Sequence, residues 1–231
     1  MNRSIRVATA VGALALSGIS SAALARDGWY LGAGVGPNFK DSETFNGNPN
    51  GSFSADFSDN AIYGVSLGYA MPSGLRPEFS IDSRTNNVNS LSANGTSSGN
   101  VSGDVNADTF MFNIWYDFQL AQEWRRLHPY IGAGVGFAQI QMHNISLDAI
   151  EPYAAIDDTQ TLVAYQLGAG LSYDLAPRWK MMAEFRYTDT GSGNFNYTTP
   201  PPLTGGTVNS AYSAESVLFG IRYEFGRDLF R

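Results

Sequence analysis

Tyr30-Leu31-Gly32-Ala33-Gly34-Val35-Gly36 returns almost unchanged as Tyr130-Ile131-Gly132-Ala133-Gly134-Val135-Gly136. In both copies apolar residues hold one parity (Leu31, Ala33, Val35; Ile131, Ala133, Val135) and glycine holds the other. Strict period two is the signature of a β-strand with two unlike faces. A strand that is apolar on one face and nearly bare on the other is odd for a soluble sandwich. It suits a small barrel whose apolar face points outward into lipid and whose interior is crowded.

The same alternation marks eight stretches: residues 29–37, 61–71, 75–85, 108–118, 130–141, 162–175, 179–188 and 215–225. Each is near or above the 9–11 residues a tilted strand needs to cross a bilayer. Pro77 removes a ladder donor and points to a bulge or a strand start. The connections alternate long (38–60, 86–107, 142–161, 189–214) and short (72–74, 119–128, 176–178). With both termini on the short side, this requires an even strand number, which eight satisfies. The fold expected is an all-β, eight-stranded, antiparallel up-and-down transmembrane barrel with short periplasmic turns and long external loops. The long connections are rich in Asn, Gly, Ser and Thr, so they are expected to be mobile and to carry no regular structure.

The amino terminus supports export. Arg3 and Arg6 precede an apolar run over 7–19, and Ala23-Leu24-Ala25 follows as a cleavage site. This is the order of a signal peptide, giving residues 1–25 as the leader and 26–231 as the barrel domain. The run is too short to span a bilayer as a helix. The chain has no cysteine, which excludes a disulfide framework and thiol chemistry. Mean hydropathy is slightly negative, but a barrel escapes that test because only alternate residues face lipid.

Charge follows parity. Arg76, Glu78, Asp82, Asp117, Asp174, Glu184, Arg186, Arg222 and Glu224 fall mostly opposite the apolar faces. An arginine facing lipid at mid-membrane costs up to about 4 kcal/mol, so these groups are expected inside. Glu184 and Arg186 are expected beside Arg222 and Glu224 on the adjacent strand, meeting Glu78 and Arg76 or Arg84 across the barrel. Glycines on the first, second, fifth and sixth strands leave room for this salt-bridged network. Eight strands enclose space for side chains or one small ligand, so the alternative is a narrow or gated pore.

Charge also follows side. The long connections hold one lysine (Lys40) and ten acids: Asp41, Glu43, Asp56, Asp59, Asp104, Asp148, Glu151, Asp157, Asp158 and Asp189. Arg26, Arg76, Arg125, Arg126, Arg178, Lys180, Arg227 and Arg231 cluster at the termini and turn ends. Acidic outer loops repel polyanions, which argues against nucleic-acid binding. Trp29, Tyr69, Tyr116, Phe118, Trp124, Tyr173, Trp179, Tyr223 and Phe225 gather at the short-turn end as an interfacial girdle.

No catalytic, cofactor or metal site is expected. The third glycine of a dinucleotide fingerprint would fall at Pro37 or Phe137. His128 and His143 are the only histidines; His143 has Ser146 and Asp148 near it in sequence. That pair is a weak basis for an activated nucleophile, and without cysteine the histidines make no metal-ligand spacing.

Trp29-Tyr30-Leu31-Gly32-Ala33-Gly34, His128-Pro129-Tyr130-Ile131-Gly132-Ala133-Gly134 and the stretch Tyr165-Gln166-Leu167-Gly168-Ala169-Gly170-Leu171-Ser172-Tyr173 resemble the OmpA-like/opacity-type outer-membrane barrels, small surface antigens of Gram-negative bacteria. The ending Gly220-Ile221-Arg222-Tyr223-Glu224-Phe225 is similar to their final-strand assembly signal, carried by Gly220, Tyr223 and Phe225. The family usually ends on phenylalanine; here residues 227–231 follow Phe225, with Phe230 penultimate. The resemblance implies an integral outer-membrane protein exported with a cleaved leader. Its implied partners are outer-membrane lipids, lipopolysaccharide, the barrel assembly machinery and an extracellular ligand or host surface at the loops. A non-enzymatic surface or envelope role follows. A small diffusion channel, a lipid A-modifying enzyme and a soluble lipocalin-like barrel stand as alternatives.

Overall fold

A computed structural model of the chain describes residues 28–39, 43–47, 51–57, 60–93, 96–98, 103–121, 124–147, 154–198 and 205–226. The leader at 1–25 and the tail at 227–231 lie outside the described residues. The strands in chain order are β1 (Gly28–Phe39), β2 (Glu43–Gly47), β3 (Gly51–Phe57), β4 (Asn60–Ala70), β5 (Leu75–Ala93), β6 (Thr96–Ser98), β7 (Asp104–Asp117), β8 (Leu127–Leu147), β9 (Ala154–Ala176), β10 (Trp179–Thr190), β11 (Gly193–Thr198), β12 (Gly206–Ser210) and β13 (Ser213–Gly226). Eight of them close a ring, β1-β4-β5-β7-β8-β9-β10-β13 and back to β1, with every neighbour antiparallel. These eight correspond to the eight alternating stretches. The expected up-and-down barrel is the fold. Closure leaves its strands no free edge, which an open sheet in lipid could not tolerate.

The outer face of the ring is apolar. Leu31, Val35, Val65, Leu67, Phe79, Ile81, Phe110, Phe112, Ile131, Val135, Val163, Leu167, Phe219 and Ile221 are all exposed, as side chains meeting lipid rather than a protein core must be. At the short-turn end the aromatic residues touch one another: Trp29–Tyr69, Tyr116–Phe118, Trp179–Tyr223 and Tyr223–Phe225, with ring centroids 4.7–5.5 Å apart. Pro77 introduces no bulge. The β4–β5 ladder ends at Gly68↔Glu78, so Pro77 stands just outside it, where a missing donor is tolerated.

The long connections differ from expectation. They carry β2, β3, β11 and β12, which continue the wall from β5 through β3, β2, β12 and β11 to β9. Asp104, Asp157, Asp158 and Asp189, read as loop residues, lie on strands. The physical reason is a switch in the polarity of the wall. Below one ring level the outward residues are Ile81, Phe110, Phe137 and Val163; one step above stand Ser83, Asp108, Gln139 and Thr161, mutually in register. Above this level the apolar residues change parity and point inward. Val105, Ala107, Ala138, Ile140, Met142, Phe195, Val208, Tyr212 and Ala214 form a buried cluster, continued one residue below this level by Met111 and Ala164, with Leu162 and Tyr197 against it. The barrel is apolar-out in the membrane and apolar-in beyond it, so the segments drawn from the long connections have a water-excluding core that orders them.

Asp158 ties this outer part together, outside the membrane-spanning segments. Its carboxylate accepts from the backbone N–H of Asn196 (2.8 Å) and Thr159 (2.8 Å) and from the side-chain amides of Asn196 (3.0 Å) and Gln160 (3.2 Å). Partial burial works against ionisation, but these donors hold the carboxyl below its ordinary value of 3.8. A depressed carboxyl contributes stability that is complete above the ordinary value and is lost as pH falls through the folded one. The amide proton resonance of Asn196 should therefore titrate in acid with a midpoint below 3.8, and should not titrate in Asp158→Asn. A flat profile in the native protein would show that the β9–β11 link does not depend on this charge.

Candidate functional site

The barrel interior holds the charged residues singled out by parity, and strand register decides who meets whom. β5 and β10 face each other across the ring. From β10, Arg186 Nη1 reaches both carboxylate oxygens of Asp82 on β5, at 2.8 and 2.9 Å. Its Nε also donates to Glu184 two residues back, on the same inward face. Glu184 accepts from the Tyr130 hydroxyl of β8 at 2.7 Å. On the other side Arg76 pairs with Glu78 (3.4 Å) and Asp117 (3.1 Å). Glu78 also accepts from the Tyr30 hydroxyl (2.8 Å) and the Trp115 indole (3.0 Å). Arg76, Glu78, Asp82, Glu184 and Arg186 are all at most 5% exposed.

One expectation is corrected here. Glu184 and Arg186 do not sit beside Arg222 and Glu224: their partners on β13 are Leu218 and Ser216, while Arg222 is in register with Lys180. The six residues therefore divide into two levels. Arg76, Glu78, Glu184 and Arg186 belong to the middle. Arg222 and Glu224 lie nearer the short turns, 3.8 Å apart, with Lys180 3.7 Å from Glu224 and 2.6 Å from Asp174. Arg84 joins neither level. It is fully buried toward the outer side and donates to Thr109 (3.0 Å) and, across the barrel, to Thr188 (3.1 Å).

The glycines also answer to different partners. A β-carbon at Gly132 or Gly168 would run into the Trp115 ring, at Gly170 into Tyr130, and at Gly68 into Tyr30. The bare faces are thus occupied by aromatic rings, and the rings hold the cations. The Arg76 guanidinium lies 5.0–5.7 Å from the centroids of Tyr30, Trp115 and Tyr130, and that of Arg186 lies 5.9 Å from Trp115. Tyr30, Trp115 and Tyr130 escaped the reading by charge, yet each shares the parity of its strand's inward residues.

The family model for the outer membrane protein beta-barrel domain matches residues 11–225. The chain belongs to this family. It is an outer-membrane β-barrel protein of the small, eight-stranded kind. An uncharacterised protein of Brucella abortus is 28% identical over 86% of this chain and 85% of its own length. The 25 kDa outer-membrane immunogenic protein of Brucella abortus is 31% identical over 42% of this chain and 38% of its own length. Among solved structures, the outer membrane protein OprG from Pseudomonas aeruginosa shares the fold with a TM-score of 0.60 at 12% identity, over 86% of this chain and 98% of that one. Outer membrane protein AlkL does so with 0.54 at 16% identity, over 94% and 99%.

The two histidines stand at opposite ends of this outer-membrane barrel. His128 Nε2 lies 3.1 Å from Asp174 at the short-turn end. His143 lies 3.3 Å from Gln141 and 3.8 Å from Asp157 on the outer wall. The side chains of Ser146 and Asp148 fall outside the described residues. Among the described residues no group of three or more His, Cys, Asp or Glu is placed to hold a metal ion.

Proposed function

We propose that this protein is a non-enzymatic surface component of the outer membrane whose lumen is closed and whose contacts are made by its extracellular part. The observation that carries the reading is the Arg186–Asp82 contact between facing strands, buried, with Glu184 and the Trp115 ring also on the Arg186 guanidinium. An eight-stranded barrel has room for side chains or one small ligand, and here buried side chains meet across it. Lipid and lipopolysaccharide surround the apolar band. Gly220, Tyr223 and Phe225 at the end of the last strand serve the assembly machinery, which acts on a chain already freed of residues 1–25. The outer wall offers Asp104, Asp108, Asp157, Asp158 and Asp189 and suits a neutral or cationic extracellular partner rather than a polyanion.

Planar-bilayer recording tests the closed lumen. Pure single barrels should give no steady conductance. A steady conductance that changes in Arg186→Ala or Glu184→Ala would instead establish a diffusion channel. The non-enzymatic reading predicts that lipid A from a deletion strain matches that of its parent. A difference that reverts with the native gene and not with His143→Ala would replace it with lipid modification.

A further inference from the structure

The short-turn mouth of the barrel opens on a cavity of about 480 Å³, the size of a small-molecule site. Its charged lining is Asp117, Asp174 and Glu224 against Arg125, Arg126, Lys180 and Arg222, with His128 beside them. The carboxylates are already engaged: Asp117 with Arg76, Asp174 with Lys180 and His128, Glu224 with Lys180 and Arg222. The donors are not used up. Arg222 is only 4% exposed, yet its Nε hydrogen-bonds to nothing among the described residues, its nearest carboxylate oxygen being 3.8 Å away. The rest of its guanidinium has a 3.4 Å contact to Ser172 and the face of Tyr30. Arg125 and Arg126 are exposed at the rim and pair with no described residue.

A buried guanidinium N–H lacking a hydrogen-bond partner is costly, and planar forked donors match the oxygens of carboxylate and phosphate. We propose that this vestibule is an oxyanion site for a phosphate group. Arg222 is its buried donor, and Arg126 with Arg125 is its rim. The carboxylates already paired to Lys180 and His128 keep those two side chains fixed in the wall, so the phosphate takes the open donors. Two sources offer the group at this face: a phospholipid headgroup of the inner leaflet, or a soluble phosphate in the periplasm.

The full chain, refolded into an uncharged detergent free of phosphate, is titrated with inorganic phosphate by calorimetry. A second arm adds phosphatidylglycerol to the same uncharged, phosphate-free micelles, followed by the arginine side-chain resonances. Saturable phosphate binding in detergent assigns a soluble ligand. Resonance shifts on adding phosphatidylglycerol, without saturable binding of free phosphate, assign the lipid headgroup. In either arm Arg222→Gln should weaken binding about tenfold or more, the loss of a charge-assisted hydrogen bond. Arg126→Gln, at an exposed rim position that folding does not need, should weaken it severalfold. Absence of a response in both arms overturns the proposal. So does a response that both variants leave unchanged while retaining the heat-modifiable electrophoretic mobility of a folded barrel.

Discussion

Arg186→Ala should destabilise the barrel by about 3–5 kcal/mol, the range for removing one partner of a buried ion pair. The substitution leaves Asp82 and Glu184, at 2% and 4% exposure, without the guanidinium that both of them bind. Two buried carboxylates stripped of that guanidinium must then take up protons or draw solvent into the lumen. Arg186→Lys should recover part of the loss, because an ammonium restores the charge but has no second nitrogen with which to hold Glu184 while it binds Asp82. The double variant Arg186→Met with Asp82→Leu should be more stable than Arg186→Ala, since one carboxylate, Glu184, is left without the cation instead of two. Reversible urea unfolding in detergent, followed by tryptophan fluorescence, reads these differences; Trp115 lies within the network. A loss below about 1 kcal/mol for Arg186→Ala would mean that the Arg186–Asp82 contact is no better than a surface pair.

Much of the membrane part was legible because lipid imposes one rule on every strand. An outward charge is costly at each step, so parity alone sorted Arg76, Glu78, Glu184, Arg186, Arg222 and Glu224 to the inside. Parity says nothing about height along the barrel. Height depends on stagger between strands, which no single strand encodes. That is why Arg222 was set beside Arg186, although register places it six residues lower, opposite Lys180. The partner of Arg186 is Asp82, which was visible as an inward charge but could not be matched to it without the stagger. The aromatic residues that occupy the glycine faces were hidden for a different reason. Tyr30, Trp115 and Tyr130 are amphipathic. A search for charge on one face and apolar bulk on the other passes over rings that bury their carbon and use one polar atom.

The extracellular part was missed because its composition reads as loop, although its alternation is present with the phase reversed. Along β8 the outward apolar series Ile131, Ala133, Val135, Phe137 gives way to Ala138, Ile140 and Met142 on the other parity. Along β7, Val105 and Ala107 precede Phe110, Phe112 and Ile114 in the same reversed relation. A phase change within one unbroken strand marks where the solvent outside the wall changes from lipid to water. The same event places Asp108 and Gln139 outward one step beyond Phe110 and Phe137.

Ile140→Asp should therefore open the outer part while sparing the membrane barrel. Ile140 is 1% exposed and belongs to the cluster formed with Val105, Met142, Phe195 and Val208. The cluster members around it are uncharged and offer a carboxyl no counter-ion, so the cost is about 3 kcal/mol or more. That energy falls on a region held by a small core, whereas the membrane ring below retains its own closed ladder. Amide exchange in β11 and β12 should accelerate by about a hundredfold or more, as such an energy implies, with exchange in 131–137 unchanged and folded electrophoretic mobility retained. Thr161→Asp, on the outward face at the level of Gln139, adds the same charge to a wetted wall and should cost no more than about 0.5 kcal/mol. If Ile140→Asp instead left β11 and β12 protected, the outer strands would owe their order to the ladder alone. If it prevented insertion altogether, the change of phase at Phe137 and Ala138 would not mark the border of the membrane.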